Sequence, residues 1–268
     1  MIEELVRLVA AWPTVVQGTV AGIFAGLLTG VGALPVLFGG RLGPKSQNAL
    51  LGFAAGVMLA ATAFSLVLPG LDHGTVVYGS AAWSAMAAAA GILVGGLAVA
   101  ALHAVVPHEH FVTGRDGSDS AQLRRLWLFV FAIALHNFPE GLAVGVGFGG
   151  GDVANGLSLA LGIGLQNMPE GLAVAVALLS VGYTPARALL IAAATGLLEA
   201  LGGLVGAGAV TLAAPLLPFG LTFAAGAMLF VISNEIIPET HRKGHAAQAT
   251  GGLMIGFVVM MQLDVLFG

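Results

Sequence analysis

The sequence predicts an all-α protein that crosses a membrane several times, and three observations carry that prediction. Hydrophobic residues make up 58% of its 268 residues and charged residues only 8%, against about 25% charged in soluble domains. Apolar runs such as GTVAGIFAGLLTGVGALPVLF (18–38) and GSAAWSAMAAAAGILVGGLAVAALHAVV (79–106) reach the roughly 20 residues that a bilayer core demands of a helix. No segment alternates apolar and polar residues in the manner of an outer-membrane barrel strand.

The elements follow in order from Gly, Pro and charge punctuation. The opening MIEELVRLVAAWPTVVQG lacks the basic region and small-residue cleavage site of a removable signal peptide, and reads as a short interfacial lead. Eight spans then fall near 15–39, 47–69, 78–106, 124–149, 153–181, 186–213, 218–238 and 247–267, a single transmembrane domain over 1–268. The longest polar connection is 107–123, rich in Gly, Ser and Asp. Of the nine Lys and Arg, only Arg7 falls on one side. Arg41, Lys45, Arg115, Arg124, Arg125, Arg187, Arg242 and Lys243 all fall on the other, while PGLDHGTVVY, GGGDVAN and AAPLLPFG carry none. The positive-inside rule makes the basic side cytoplasmic and both termini external.

Other classes drop out quickly. Cysteine is absent, which removes disulfides, thiolate metal sites and cysteine nucleophiles. A net charge of −4 on so few charges offers no nucleic-acid surface. GxxxG spacing (Gly22/Gly26/Gly30, Gly52/Gly56, Gly91/Gly95, Gly202/Gly206, Gly252/Gly256) signals close helix packing. GVGFGGG follows no strand and is not a nucleotide loop.

Chemistry concentrates in a repeated decapeptide, LHNFPEGLAV (135–144) and LQNMPEGLAV (165–174), placed mid-span in antiparallel neighbours. His136, Asn137 and Glu140 share one helix face, and Gln166, Asn167 and Glu170 repeat that geometry thirty residues later. Two such motifs at one depth imply a two-fold axis in the membrane plane, as in transporters with a midplane site. Glu199 is a third intramembrane carboxylate. Each costs at least about 2.5 kcal/mol on insertion scales and calls for a partner or a function. No Lys or Arg lies mid-span to supply one, so a bound divalent cation is the simplest counter-charge. Pro139 and Pro169 strip the carbonyls of Leu135 and Leu165 of their helical partners, which points to polar surroundings.

Simpler readings stand beside these. His136 alone reads as an interhelical hydrogen bond, Asn137 and Asn167 as interhelical glue, and Glu199 as a proton site. Repetition of a carboxylate at the fourth position favours the metal reading. Imidazole, carboxylate and amide oxygen without thiolate suit zinc, iron(II), manganese, cobalt or cadmium, and fit copper(I) and calcium poorly. Further along, Met58 and Ser65 of span 2, and Asp72, His73 and Asp152 on the outer side, are candidates for a cation pathway. Glu235, Glu239 and His241 at the basic end of span 7 read equally as an exit path and as a helix cap at the interface. His108, Glu109 and His110 read as a solvated loop, and Asp264 has no assigned partner.

HNFPEG, QNMPEG and Glu199, together with NEIIPETH (234–241), resemble the ZIP (Zrt-, Irt-like protein) family of divalent metal transporters, in its bacterial GufA-like branch. The resemblance spans essentially the whole chain. It implies inverted three-helix repeats, spans 1–3 and 6–8, with spans 4 and 5 between them, and import of zinc or related ions across a bacterial inner membrane. It further implies a binuclear centre, with His136, Glu140, Gln166 and Glu170 at a first metal and Asn137, Asn167 and Glu199 at a second. Glu140 and Glu170 would bridge the two. Met58 and Asp72 match pathway and entrance residues, Glu235 and Glu239 cytoplasmic acidic ones, and the family often pairs as homodimers. Two departures stand out. Asn167 replaces an aspartate of some bacterial relatives, and Gln166 a histidine of many eukaryotic ones; the second position is weaker for the lost carboxylate.

The competing readings are a non-transporting metal sensor, which lacks a signalling domain here, and a metalloprotease. The protease needs HExxH, and Asn137 occupies the place of its general base. Metal ligands bind deprotonated, so protons compete with the ion at Glu140, Glu170 and Glu199. Metal affinity is expected to fall as the buffer moves from mildly alkaline to acidic. Equilibrium binding across that range checks it, and a flat profile contradicts a three-glutamate site.

Overall fold

The computed structural model describes residues 2–39, 43–105, 119–242 and 244–267, and every regular element among them is helical. Span 1 runs Thr14–Phe38, span 2 Lys45–Tyr78, span 3 Ala81–Ala101, span 5 Val153–Ser180, span 6 Pro185–Leu212, span 7 Leu217–Asn234 and span 8 Ala246–Leu266. Span 4 is the helix Asp119–Gly147. The sequence thus describes a polytopic membrane protein, and most of the connection at 107–123 lies outside the described residues. The opening segment is a helix, Ile2–Ala10, which turns into span 1 at Trp12–Pro13. Val9 joins the core, and the Gln17 amide donates to the carbonyls of Val9 (3.1 Å) and Trp12 (2.7 Å). The lead is therefore docked on the bundle and tied to it.

Span 2 departs from the sequence reading, which ends it at 69 and leaves PGLDHGTVVY in a loop. The chain stays helical to Tyr78 through a π-helical stretch, Ala61–Val67. Pro69 falls in the first turn after that stretch, and the Ser65 carbonyl four residues back accepts from the Asn155 amide at 3.0 Å in place of the N–H that proline lacks. Gly70 and Gly74 serve packing instead of a turn. A Cβ on Gly70 would lie 2.8 Å from Thr222 Cγ2, and Gly74 faces Ser84, whose hydroxyl donates to the Leu71 carbonyl at 2.7 Å. The turn comes at Gly79, whose φ of 70° suits glycine. Span 7 behaves alike, continuing through a π-helical stretch at Ile232–Ile236 into the helix Ile237–Arg242, past the predicted end at 238. Span 6 is divided at Gly196 into Pro185–Thr195 and Leu197–Leu212.

Backbones meet at glycines, and the meetings obey one rule. Gly26 and Gly196 lie against each other's carbonyls, between spans 1 and 6. Gly171 of span 5 lies on the Thr29 carbonyl of span 1; Gly141 of span 4 lies on the Glu199 carbonyl of span 6. Gly32 meets the Met168 carbonyl, and Gly202 the Phe138 carbonyl. Gly52 and Gly252 lock spans 2 and 8 on the carbonyls of Ala249 and Ala49; Gly226 and Gly95 lock spans 7 and 3 on those of Ile92 and Phe223. Exchanging spans 1 and 6, 2 and 7, 3 and 8, and 4 and 5 carries each contact onto another of the set. That is the inverted repeat, expressed residue by residue, and it places Thr29 in register with Glu199.

A side chain at any of these glycines strikes backbone, which cannot rotate away. Gly95→Leu and its two-fold counterpart Gly252→Leu are each expected to cost at least about 1–3 kcal/mol. Both should lower the melting temperature in detergent by similar amounts. Gly251→Leu, with nothing within 4 Å of a Cβ, should leave it nearly unchanged.

Candidate metal centre

Seven polar side chains come together where spans 4, 5 and 6 cross, each set there by helical spacing. His136, Asn137 and Glu140 project from span 4, Gln166, Asn167 and Glu170 from span 5, and Glu199 from the first turn after Gly196 in span 6. None is more than 3% exposed. Both helices run unbroken through Pro139 and Pro169. Gly141 and Gly202 let spans 4 and 6 approach, so Glu199 reaches the same layer.

One chain of hydrogen bonds crosses the layer. The Gln166 amide nitrogen donates to Asn167 Oδ1 at 2.6 Å. Asn167 Nδ2 donates in turn to Glu199 Oε2 (2.8 Å) and to the Ala25 carbonyl of span 1 (3.0 Å). What remains is mostly acceptor: Gln166 Oε1, Glu199 Oε1, both Glu140 oxygens and Asn137 Oδ1 have no donor, and Asn137 Nδ2 no acceptor. Glu140 lies within electrostatic reach of both Glu170 and Glu199. Among the described residues no Lys or Arg is buried beside them. Buried acceptors without donors are costly, and a bound cation is a partner that offsets that cost. Among the described residues, no three His, Asp or Glu groups already converge into a coordination shell. Like-charged carboxylates repel, so side-chain rotation must complete any such shell.

The remaining candidates divide. Met58 is wholly buried at the foot of the π-helical stretch of span 2, and its carbonyl accepts from Thr62 at 2.7 Å. Ser65, inside that stretch, donates to Asp264 Oδ1 at 2.8 Å, and its carbonyl accepts from Asn155 at 3.0 Å. Asp264 thereby gains the partner that sequence reasoning missed; a serine and an aspartate in distant spans gave no signal. Asp72 is exposed and His73 half-buried on a helix, not in a loop. Asp152 is the N-cap of span 5, accepting from the Asn155 N–H at 3.0 Å, which accounts for it without a cation. Glu235, Glu239 and His241 lie on the π-helical stretch and final helix of span 7, and their side chains lie outside what the structure describes. His108, Glu109 and His110 are outside the described residues altogether.

An eight-span bundle that gathers three buried carboxylates with buried amides and an imidazole on three neighbouring helices has the build of a membrane carrier. Residues 106–264 match the family model described as ZIP zinc transporter. The chain is 47% identical over 253 residues to zinc transporter GufA of Myxococcus xanthus, covering 94% of this chain and 99% of that one. It is 49% identical over 253 residues to zinc transporter ZIPB of Bordetella bronchiseptica, covering 94% and 81%. Human zinc transporter ZIP11 matches at 48% over 151 residues, 54% of this chain and 44% of that one. The chain belongs to the ZIP family. It is a metal transporter of that family and not an enzyme.

Asn167 is the informative position. In Asn167→Asp a carboxylate replaces the donor that now neutralises Glu199, so the metal-free protein is expected to melt lower than wild type. Zinc should restore more stability to the variant than to wild type, because bound metal stabilises in proportion to its affinity. Melting curves with and without zinc read both effects; an equal zinc shift in the two proteins contradicts a role for position 167 at the metal.

Proposed function

We propose that the protein carries zinc into the cytoplasm through the layer where spans 4, 5 and 6 cross. The observation that carries this reading is the set of buried acceptors without donors on Glu140, Gln166, Glu199 and Asn137, enclosed by apolar helices and lacking any basic neighbour among the described residues. His136, Glu140, Gln166 and Glu170 hold the first ion. Asn137, Asn167 and Glu199 form the second position, with Glu140 and Glu170 shared. Imidazole and carboxylate favour zinc and accept cadmium, iron(II), manganese and cobalt. Asn167 in its present bonds serves Glu199 as a donor, so an ion at the second position must displace that amide, which makes the position weaker and transient.

Orientation follows from charge. The basic ends of the spans face the cytoplasm and both termini face outward, in a bacterial inner membrane. Asp72 and the Ser65–Asp264 pair then lie on the outer approach, Met58 beside the first position, and Glu235, Glu239 and His241 on the inner exit. Pairing as a homodimer completes the proposal.

Purified protein in liposomes should take up zinc and cadmium saturably, and Glu170→Ala should abolish uptake while the protein still elutes as a folded species. Tight metal binding without flux in correctly reconstituted protein would instead identify a sensor.

A further inference from the structure

Thr29 lies at the two-fold counterpart of Glu199: Gly141 packs on the Glu199 carbonyl as Gly171 packs on that of Thr29, and Gly26–Gly196 fixes the register between their helices. The two positions carry different chemistry. Glu199 is a carboxylate bonded by Asn167; Thr29 is a hydroxyl 1% exposed whose Oγ1 has no partner. That is unusual within this chain. Thr19, Thr62, Thr211 and Thr222 each donate to the carbonyl four residues back, the ordinary outlet for a helical threonine. For Thr29 that carbonyl belongs to Ala25, and it accepts the Asn167 amide instead.

The same symmetry predicts what faces the hydroxyl. Asn167 serves Glu199, so the symmetry sets its counterpart Asn137 on the Thr29 side, where span 1 packs against span 4, although the two side chains form no hydrogen bond. Asn137 is 1% exposed, with neither amide atom partnered. Thr29 Cγ2 lies 3.0 Å from where a Cβ on Gly171 would sit, so its methyl group faces span 5 next to Glu170. One turn earlier on span 1, a Cβ on Gly26 would lie 3.1 Å from Glu199 Oε2. Span 1 thus borders the carboxylate layer with its one polar side chain there uncommitted.

We infer that the Thr29 hydroxyl is a further, charge-free oxygen ligand for the transported divalent cation at the edge of the carboxylate layer, the two-fold counterpart of Glu199. The inference rests on transport through the layer between spans 4, 5 and 6. A neutral hydroxyl holds a divalent ion less firmly than a carboxylate does, so the Thr29 side of the layer passes the ion on while the glutamates capture it. Conduction needs such a step, binding firm enough to admit the ion and weak enough to release it.

The test exploits a chain with no cysteine. Thr29→Cys introduces the sole thiol, a soft ligand that prefers cadmium. Purified full-length variant titrated with cadmium should develop ultraviolet thiolate-to-cadmium charge-transfer absorption, saturating with the bound ion and reversed by zinc only at excess. Thr29→Val keeps the shape and removes the oxygen; cadmium affinity should fall roughly tenfold, the size of loss seen when a supporting group is removed at metal sites, and Thr29→Ser should restore it. Should Thr29→Val fail to fold, the Cys and Ser variants still decide the matter. Cadmium bound by Thr29→Cys as by wild type without the absorption band overturns the inference, as does a folded Thr29→Val with wild-type affinity. Wild-type protein that binds no cadmium or zinc refutes the transport reading itself, and the Thr29 position falls with it.

Discussion

Three carboxylates held in the apolar interior, with no basic side chain buried beside them among the described residues, set the terms for the rest of this structure. Each carries an insertion cost of at least about 2.5 kcal/mol that helix packing alone does not return. The cost is tolerable because the carboxylates share one layer with two asparagines, a glutamine and a histidine, so that a single ion or amide chain can serve several at once. That concentration demands that three helices approach closely at one depth. Glycines on carbonyls provide the approach, at Gly141 with Glu199 and at Gly171 with Thr29. Small residues at helix crossings are general in membranes; here their placement is tied to where the charge must converge.

The inverted repeat is kept by backbone and broken by side chains. The glycine contacts recur pair by pair under the exchange of spans, and both Pro-Glu-Gly turns recur with them. The polar groups recur only in part. Glu140 matches Glu170 and Asn137 matches Asn167, whereas His136 stands opposite Gln166 and Glu199 opposite Thr29. Symmetric packing supports two equivalent helix crossings, and asymmetric ligands make the crossings chemically unlike. The Asn167 amide illustrates the consequence: it is committed to Glu199 and Ala25, while Asn137 has no bond.

Much of this was legible in the sequence, because its signals are local or periodic. Long apolar runs gave the eight spans. Spacing of four put His136 with Glu140 and Gln166 with Glu170, and duplication announced the axis. The failures share a cause as well. Pro69, Gly70 and Gly74 read as breakers, yet the π-helical stretch before them moves Pro69 to a helix start and distant partners Thr222 and Ser84 use the glycines. Asp152 read as a surface acid and is a cap. Asp264 found Ser65 across the bundle, and Thr29 resembled any other helical threonine until the register linked it to Glu199. Information that depends on which helix lies next to which is absent from any single segment.

The layer is poised and incomplete, which is the physical state a carrier requires. A closed shell of carboxylates would bind an ion tightly and release it slowly; scattered acceptors would not capture it at all. Here the committed bonds run from Gln166 to Asn167 to Glu199, and uncommitted oxygens remain on Glu140 and Asn137 as well as on Gln166 and Glu199 themselves. On the proposed path an arriving ion would meet free acceptors and exchange with amide donors to go further. Each such exchange replaces one satisfied interaction by another of comparable strength, so the ion can move without either a deep well or a bare passage through the apolar interior.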